Sequence, residues 1–244
     1  MQKTLILIPS RLSASRLPNK PLLKINGKSI ISLVVEKAKR SKLGEVIVAT
    51  EDKKILIDVK KNGGKAIITS NKHKTGTDRI YECLTKLSIK DIDYIINLQG
   101  DEPNIDINDL KSLYKLTKKN NSDMATLATK IYNKNVYRDK NIVKVTTNSK
   151  LNKNNFPTAK NFKRLISSGN NIYHHLGVYI YKVKILKKFI NLRQSENELK
   201  NKLEQMRAID NDIKINVALA TKPSIGIDTV EDYVALKKIM EYKS

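Results

Sequence analysis

Three cations stand close together near the N-terminus. Arg11, Arg16 and Lys20 lie in the stretch Ile8-Pro9-Ser10-Arg11-Leu12-Ser13-Ala14-Ser15-Arg16-Leu17-Pro18-Asn19-Lys20-Pro21-Leu22. Guanidinium and ammonium groups are strong partners for phosphate oxygens, so such a loop can surround a polyphosphate with charge. The chain has no Walker A pattern and no Gly-x-Gly-x-x-Gly. Side chains, more than a glycine nest, would therefore grip the phosphates. The bland alternative is a solvated basic loop. Two carboxylates stand in short motifs of their own. Asp101, in Gln99-Gly100-Asp101-Glu102-Pro103, follows an apolar run, and Asp228 sits in Gly226-Ile227-Asp228-Thr229 before an amphipathic stretch. Magnesium takes one or two carboxylates together with substrate phosphates. Asp228 has a second reading, because Asp-Thr-Val-Glu also opens a helix well and the aspartate could be its N-cap. Gly100 lets the backbone between Gln99 and Asp101 pass close to a ligand, and Glu102-Pro103 reads as turn chemistry. No Ser-His-Asp set, metal-binding histidine pair or catalytic cysteine stands out. Cys83 falls on the apolar side of a helix and reads as core.

The elements that must hold these residues alternate. Strands are predicted at 4–8, 46–50, 66–69 and 94–98. Between them lie segments of helical spacing, such as Ile30, Ile31, Val34, Val35 and Ala38. A second helix spans about 53–61 and stops at Asn62-Gly63-Gly64. Further helices start near Thr77 and near Asp106. Strands alternating with helices imply parallel pairing in a doubly wound α/β sheet. Ligands of such sheets sit beyond the carboxyl ends of the strands, where the cationic loop and Asp101 both fall. The second half is less regular. Strands are expected at 124–131, 142–147, 173–181 and 213–219, and helices at 184–191, 196–207 and 230–241. Residues 148–171 read as loop or a flexible hairpin. Neither an internal repeat nor a linker is visible. The simplest organisation is one α/β domain over 1–244 with an embedded smaller subdomain.

Composition narrows the class. With 244 residues, 40% of them hydrophobic, the chain can bury a sizeable core. No apolar run is long enough to span a bilayer, the N-terminus does not read as a signal peptide, and a single cysteine permits no internal disulfide. A cytoplasmic protein with no membrane partner is expected. The net charge of +23 would ordinarily suggest nucleic acid. Only eight of the 47 basic residues are arginine, however, the lysines are spread from end to end, and there is no Trp and only three Phe. Stacking platforms are thus scarce, so no nucleic-acid partner is expected. The positive field can still draw in an anionic nucleotide and an acidic sugar.

Seven short motifs, in order, resemble those of the 3-deoxy-manno-octulosonate cytidylyltransferase family. Pro9, Arg11, Ser15, Arg16, Pro18, Lys20 and Pro21 fit its N-terminal loop, with mild departures at Ser10 and Ala14. Asn26-Gly27-Lys28, His73-Lys74-Thr75-Gly76-Thr77-Asp78-Arg79 and Gln99-Gly100-Asp101-Glu102-Pro103 follow. His175-Leu176-Gly177-Val178-Tyr179, Leu203-Glu204-Gln205-Met206-Arg207 and Gly226-Ile227-Asp228-Thr229 complete the series. The family's Tyr-Phe-Ser-Arg is matched only by Asn161-Phe162-Lys163-Arg164, with Lys163 in place of the serine and no Ile-Pro after it.

The resemblance implies a Mg²⁺-dependent nucleotidyltransferase of Rossmann-like fold. Such an enzyme joins CTP and 3-deoxy-D-manno-octulosonate (Kdo) into CMP-Kdo for lipopolysaccharide synthesis and works as a homodimer. It divides the chain into a nucleotide-binding half (about 1–120), a sugar-binding and dimerisation part (about 121–220) and a closing metal turn with its helix (about 221–244). It assigns catalysis to Arg11, Lys20 and Asp101, and nucleotide binding to Pro9, Ser10, Arg11, Arg16, Lys20, Thr77, Arg79 and Gln99. Sugar contacts fall to Gln99, Arg164, His175, Tyr179, Glu204 and Gln205, and the metal to Asp101 and Asp228. Arg207 is left to a salt bridge. A lone strand histidine such as His175 is more often a satisfied core residue; the resemblance favours the sugar contact. The rivals are a CMP-sialate-type enzyme and a basic nucleic-acid-binding protein that has kept the fold without catalysis.

Overall fold

The computed structural model describes residues 3–13, 16–89, 91–224 and 226–242. Ala14 and Ser15 of the N-terminal motif lie outside the described residues. The chain forms two compact units, one of residues 1–107 with 224–244 and the other of residues 108–223.

In the first unit the chain enters on strand β1 (Lys3–Ser10), buried from Thr4 onward. A short ribbon, β2 (Lys24–Ile25) and β3 (Lys28–Ser29), leads into helix α1 (Ile30–Ser41). Ser29 caps that helix by accepting the Ser32 N–H, and Ile30, Ile31, Val34, Val35 and Ala38 form its buried stripe. Strand β4 (Glu45–Thr50), helix α2 (Lys53–Lys61), strand β5 (Lys65–Ile68), helix α3 (Gly76–Leu87) and strand β6 (Ile92–Asn97) follow. The strands pair in parallel in the order β6, β1, β4, β5. Strands buried on both faces read as continuous apolar runs, and Leu5-Ile6-Leu7-Ile8 is one. Because all four run the same way, the loops after β1, β4, β5 and β6 gather at one edge.

The second unit is mixed. Helix α4 (Ile107–Lys119) leads to β7 (Met124–Thr129), β8 (Lys144–Thr147), β9 (Ala159–Lys163) and β10 (Ile172–Lys182). Strand β10 is antiparallel to both β7 and β8, and β8 is antiparallel to β9. Helices α5 (Val183–Asn191), α6 (Glu196–Asn201) and α7 (Met206–Ile209) precede β11 (Ile215–Leu219), which lies parallel to β7. The register of β10 against β7 shifts between Leu176 and Tyr179, a bulge that includes Gly177. The chain then returns to the first unit and ends on helix α8 (Val230–Glu241).

Two expectations need correction. The helix expected at 196–207 is two, because Lys202 takes a left-handed φ of 52° and both its N–H and that of Leu203 close onto the Glu198 carbonyl. That is a helix stop made without glycine. The segment 148–171 contains a strand, β9. Asn148 donates its N–H to the Thr158 carbonyl at 3.0 Å, so 148–158 closes a hairpin between β8 and β9.

Candidate active site

The loop edge of the first unit encloses a cleft of ≈ 350 Å³. Pro9, Ser10, Arg11 and Arg16 line it from the first loop, together with Lys20, which opens a short 3₁₀ turn. His73, Lys74, Thr75, Gly76 and Arg79 line it from the start of α3, and Gln99, Gly100 and Asp101 from the loop after β6. Asp228 comes from the turn before α8. Gly100 is needed there: a Cβ would stand 2.8 Å from the Pro9 carbonyl oxygen and 3.2 Å from the Ile31 Cδ1. The glycine lets the loop after β6 approach the end of β1.

At one end of the cleft the charges converge. Lys20 Nζ lies 2.6 Å from Asp101 Oδ2 and 3.2 Å from Asp228 Oδ1, and Arg16 reaches Asp228 Oδ2 at 3.1 Å. Burial opposes the charge on Lys20, but Asp101 and Asp228 outweigh it and hold its pKa above the ordinary lysine value. Asp228 is brought there by backbone, because the Ile227 N–H donates to the Asp101 carbonyl at 3.0 Å. The N-cap reading of Asp228 is replaced by another residue. Thr229 caps α8, accepting the Asp232 N–H at 3.2 Å, while Asp232 accepts the N–H groups of Thr229 and Asp228. The Asp228 carboxylate is thereby left for the cations. Two carboxylates that reach one shared cation position suit a divalent ion that takes its remaining ligands from phosphate oxygens.

Residues of the His-Lys-Thr-Gly-Thr-Asp-Arg segment divide between lining and support. Thr75 and Asp78 form a reciprocal capping box for α3. Thr77, in the first turn, is 2% exposed and is not among the cleft-lining residues. Arg79 is buried. It pairs with Glu51 at the end of β4, donates to Thr69 Oγ1 at 2.7 Å and donates to the Ser70 carbonyl at 3.3 Å. Its guanidinium ties together the ends of β4 and β5 at the cleft wall. His73 pairs with Glu82, which Lys86 also engages at 2.6 Å. Burial would raise the Glu82 pKa, but Lys86, the Ser70 N–H and His73 draw it down to about 2. His73, Lys74, Thr75, Glu51 and Glu82 were missed as site residues by sequence reasoning. The capping pattern Thr-x-x-Asp was the available signal, since it places Thr75 outside the helix and Thr77 within its first turn.

The remaining candidates lie in the second unit. His175 Nε2 is 3.0 Å from Thr126 Oγ1, and its ring meets Phe162 edge-on at 5.1 Å and Tyr179 at 5.4 Å. Burial, with a smaller push from His174, lowers its pKa to about 3, so the imidazole is neutral near pH 7. Tyr179 is buried beside it. Arg164 donates to the backbone carbonyls of Asn201, Lys140 and Lys202, which anchors the end of α6. Glu204 and Gln205 stand in the turn between α6 and α7, and Gln205 is buried. Arg207 makes a buried two-point pair with Glu198 at 2.8 and 2.6 Å, the salt bridge expected of it. Cys83 is buried, its thiol pushed up to about 12 chiefly by that burial.

Comparison with known proteins adds a second line. The family model described as "Cytidylyltransferase" matches residues 5–215. The chain is 41% identical to a 3-deoxy-manno-octulosonate cytidylyltransferase of Thermodesulfovibrio yellowstonii, over 97% of this chain and 98% of that protein. It is 38% identical to the enzyme of that name from Bartonella bacilliformis, over 98% of each. A solved structure of CMP:2-keto-3-deoxy-manno-octonic acid synthetase complexed with CTP superposes with a TM-score of 0.90 at 33% identity, covering 100% of both chains. A UDP-glucose pyrophosphorylase, at 16% identity and a TM-score of 0.73, shares the fold.

Proposed function

The chain belongs to the 3-deoxy-manno-octulosonate cytidylyltransferases, and from that premise we propose how it transfers CMP from CTP to Kdo. The products are CMP-Kdo, the activated sugar for lipopolysaccharide assembly, and pyrophosphate. The observation that carries the reading is the convergence of Arg16, Lys20, Asp101 and Asp228 in a cleft that Arg11, Lys74 and Gln99 also line.

A hydroxyl oxygen of the sugar acid attacks the α-phosphorus in line, the bond to the bridging oxygen breaks, and pyrophosphate leaves with the charge. Little covalent chemistry falls to the protein; positioning and charge neutralisation dominate. Arg11, Arg16 and Lys20 hold the phosphates. Pro9, Ser10 and Gln99 shape the nucleotide wall, and Arg79 acts on that wall through Glu51 and Thr69. Asp101 and Asp228 would hold Mg²⁺, which when bound neutralises phosphate charge and fixes phosphate geometry. The sugar acid is assigned to Gln99, His175, Tyr179, Glu204 and Gln205. A neutral His175 suits hydrogen bonding to a hydroxyl. Arg164 supports that region by holding the end of α6. Among the described residues no helix is long and apolar enough to cross a membrane; a cytoplasmic homodimer is our reading, as for the family.

Pyrophosphate release tests the assignment. CTP with Kdo should turn over, UTP, ATP or GTP should be poor, and sialic acid should not replace Kdo. Preference for sialic acid would make the chain a CMP-sialate-type enzyme instead.

A further inference from the structure

Two carboxylates that face each other in a half-enclosed cleft repel. Between Asp101 and Asp228 stands Lys20 Nζ, at 2.6 and 3.2 Å, which offsets that repulsion. The lysine side chain is only 12% exposed, so the carboxylates are its main partners. Arg16 occupies the other oxygen of Asp228. Two cations and two carboxylates thus close a neutral set on the very oxygens that a divalent ion would need.

A metal ion arriving alone must break these ion pairs and leave an ammonium beside a dication. A nucleoside triphosphate reverses that balance, because its oxygens offer Lys20 and Arg16 new partners within the same cleft. We propose that Lys20 is the resident counter-ion of the Asp101–Asp228 pair, and that metal and nucleotide load by exchange, the ammonium passing from carboxylates to phosphates. This rests on the reading of those two aspartates as the metal-holding pair. Lys20 then has two duties. It keeps the carboxylates paired and apart from adventitious metal in the free protein, and it meets the leaving phosphates in the loaded one. Coupling of this kind is reciprocal, so whatever the nucleotide does for metal affinity the metal does for nucleotide affinity.

The test is Mn²⁺ binding to the nucleotide-free protein, followed by electron paramagnetic resonance. Lys20→Met should bind Mn²⁺ alone on the order of tenfold more tightly than the unaltered chain, within the usual range of site coupling. Adding Asp101→Asn to Lys20→Met should abolish that gain. Lys20→Gln gives a second reading should the methionine variant not fold. If Mn²⁺ binds the unaltered chain as tightly as either variant, and Asp101→Asn still abolishes it, the counter-ion role is wrong while the metal site stands. If Asp101→Asn and Asp228→Asn change Mn²⁺ binding neither alone nor with CTP present, the metal site itself is wrong.

Discussion

Asp228 and Thr229 are neighbours with separable duties, and that separation can be measured. Asp101→Asn and Asp228→Asn should each fold and melt near the unaltered temperature, yet lose most turnover at any CTP concentration, because a neutral amide is a poor magnesium ligand. Thr229→Ala should do the opposite, costing about 1 kcal/mol of stability by removing the α8 cap while leaving most turnover. Loss of turnover at Thr229 with none at Asp228 would return the aspartate to a capping role. His175 makes a second claim at this scale. Its pKa is about 3 in the folded chain and near the ordinary histidine value when unfolded. Between those values the unfolded state binds more protons, so stability is full above about pH 6.5 and falls as the pH drops toward 3. The lowered His174 pKa acts in the same direction. His175→Asn should remove about one proton from the acid limb of a denaturation-versus-pH series; an unchanged slope would mean that the imidazole is not buried neutral. The meeting of Lys20, Asp101 and Asp228 was legible because each stands where a strand or turn opens onto the loop edge. The partners of Arg79 were not, since Glu51 and Thr69 become its neighbours only when β4 and β5 pair.

Elements with a strong period were legible from residue order. Helix α2 and helix α8 lie where spacing puts them, and the strands of the first unit differ by a few terminal residues. The stretch 196–207 was not, because its break depends on Lys202 accepting a left-handed backbone that glycine or asparagine usually signals. Strand β9 was hidden for a related reason: Ala-Lys-Asn-Phe-Lys has low strand propensity, and only pairing with β8 makes it a strand. What holds the broken helix in place is the Arg207–Glu198 pair, both side chains almost wholly buried. Arg207 also lies over the Phe189 ring at 4.6 Å, which joins α7 to α5. Arg207→Met should therefore cost about 3–5 kcal/mol in urea denaturation, the penalty of an unpaired buried carboxylate. Arg207→Met with Glu198→Leu should recover much of it. A double variant no better than the single would show that the loss came from packing on Phe189 and not from the stranded charge.

At the scale of the molecule, alternation of strand and helix was enough to indicate a mostly parallel α/β sheet, whereas composition marks no boundary between the two units, and a division of the chain came only from the family resemblance. The chain crosses between units at Ile107 and at Ser224, the first inside helix α4, and neither crossing has the composition of a linker. Net charge is the property that could mislead most. A value of +23 makes contact with any polyanion favourable at low salt. Such binding comes from release of counterions and falls steeply as salt rises. The charges of the proposed site act differently. The ion pairs Arg16–Asp228, Lys20–Asp101 and Lys20–Asp228 close at 3.1, 2.6 and 3.2 Å in a cleft, well inside the roughly 8 Å screening length of physiological salt. Titrated from low to physiological salt, duplex DNA binding should be weak, indifferent to sequence and lost, while pyrophosphate release from CTP and Kdo should fall far less. DNA binding that persists at physiological salt, together with no pyrophosphate release, would mean that the surface and not the cleft is the functional feature of this chain.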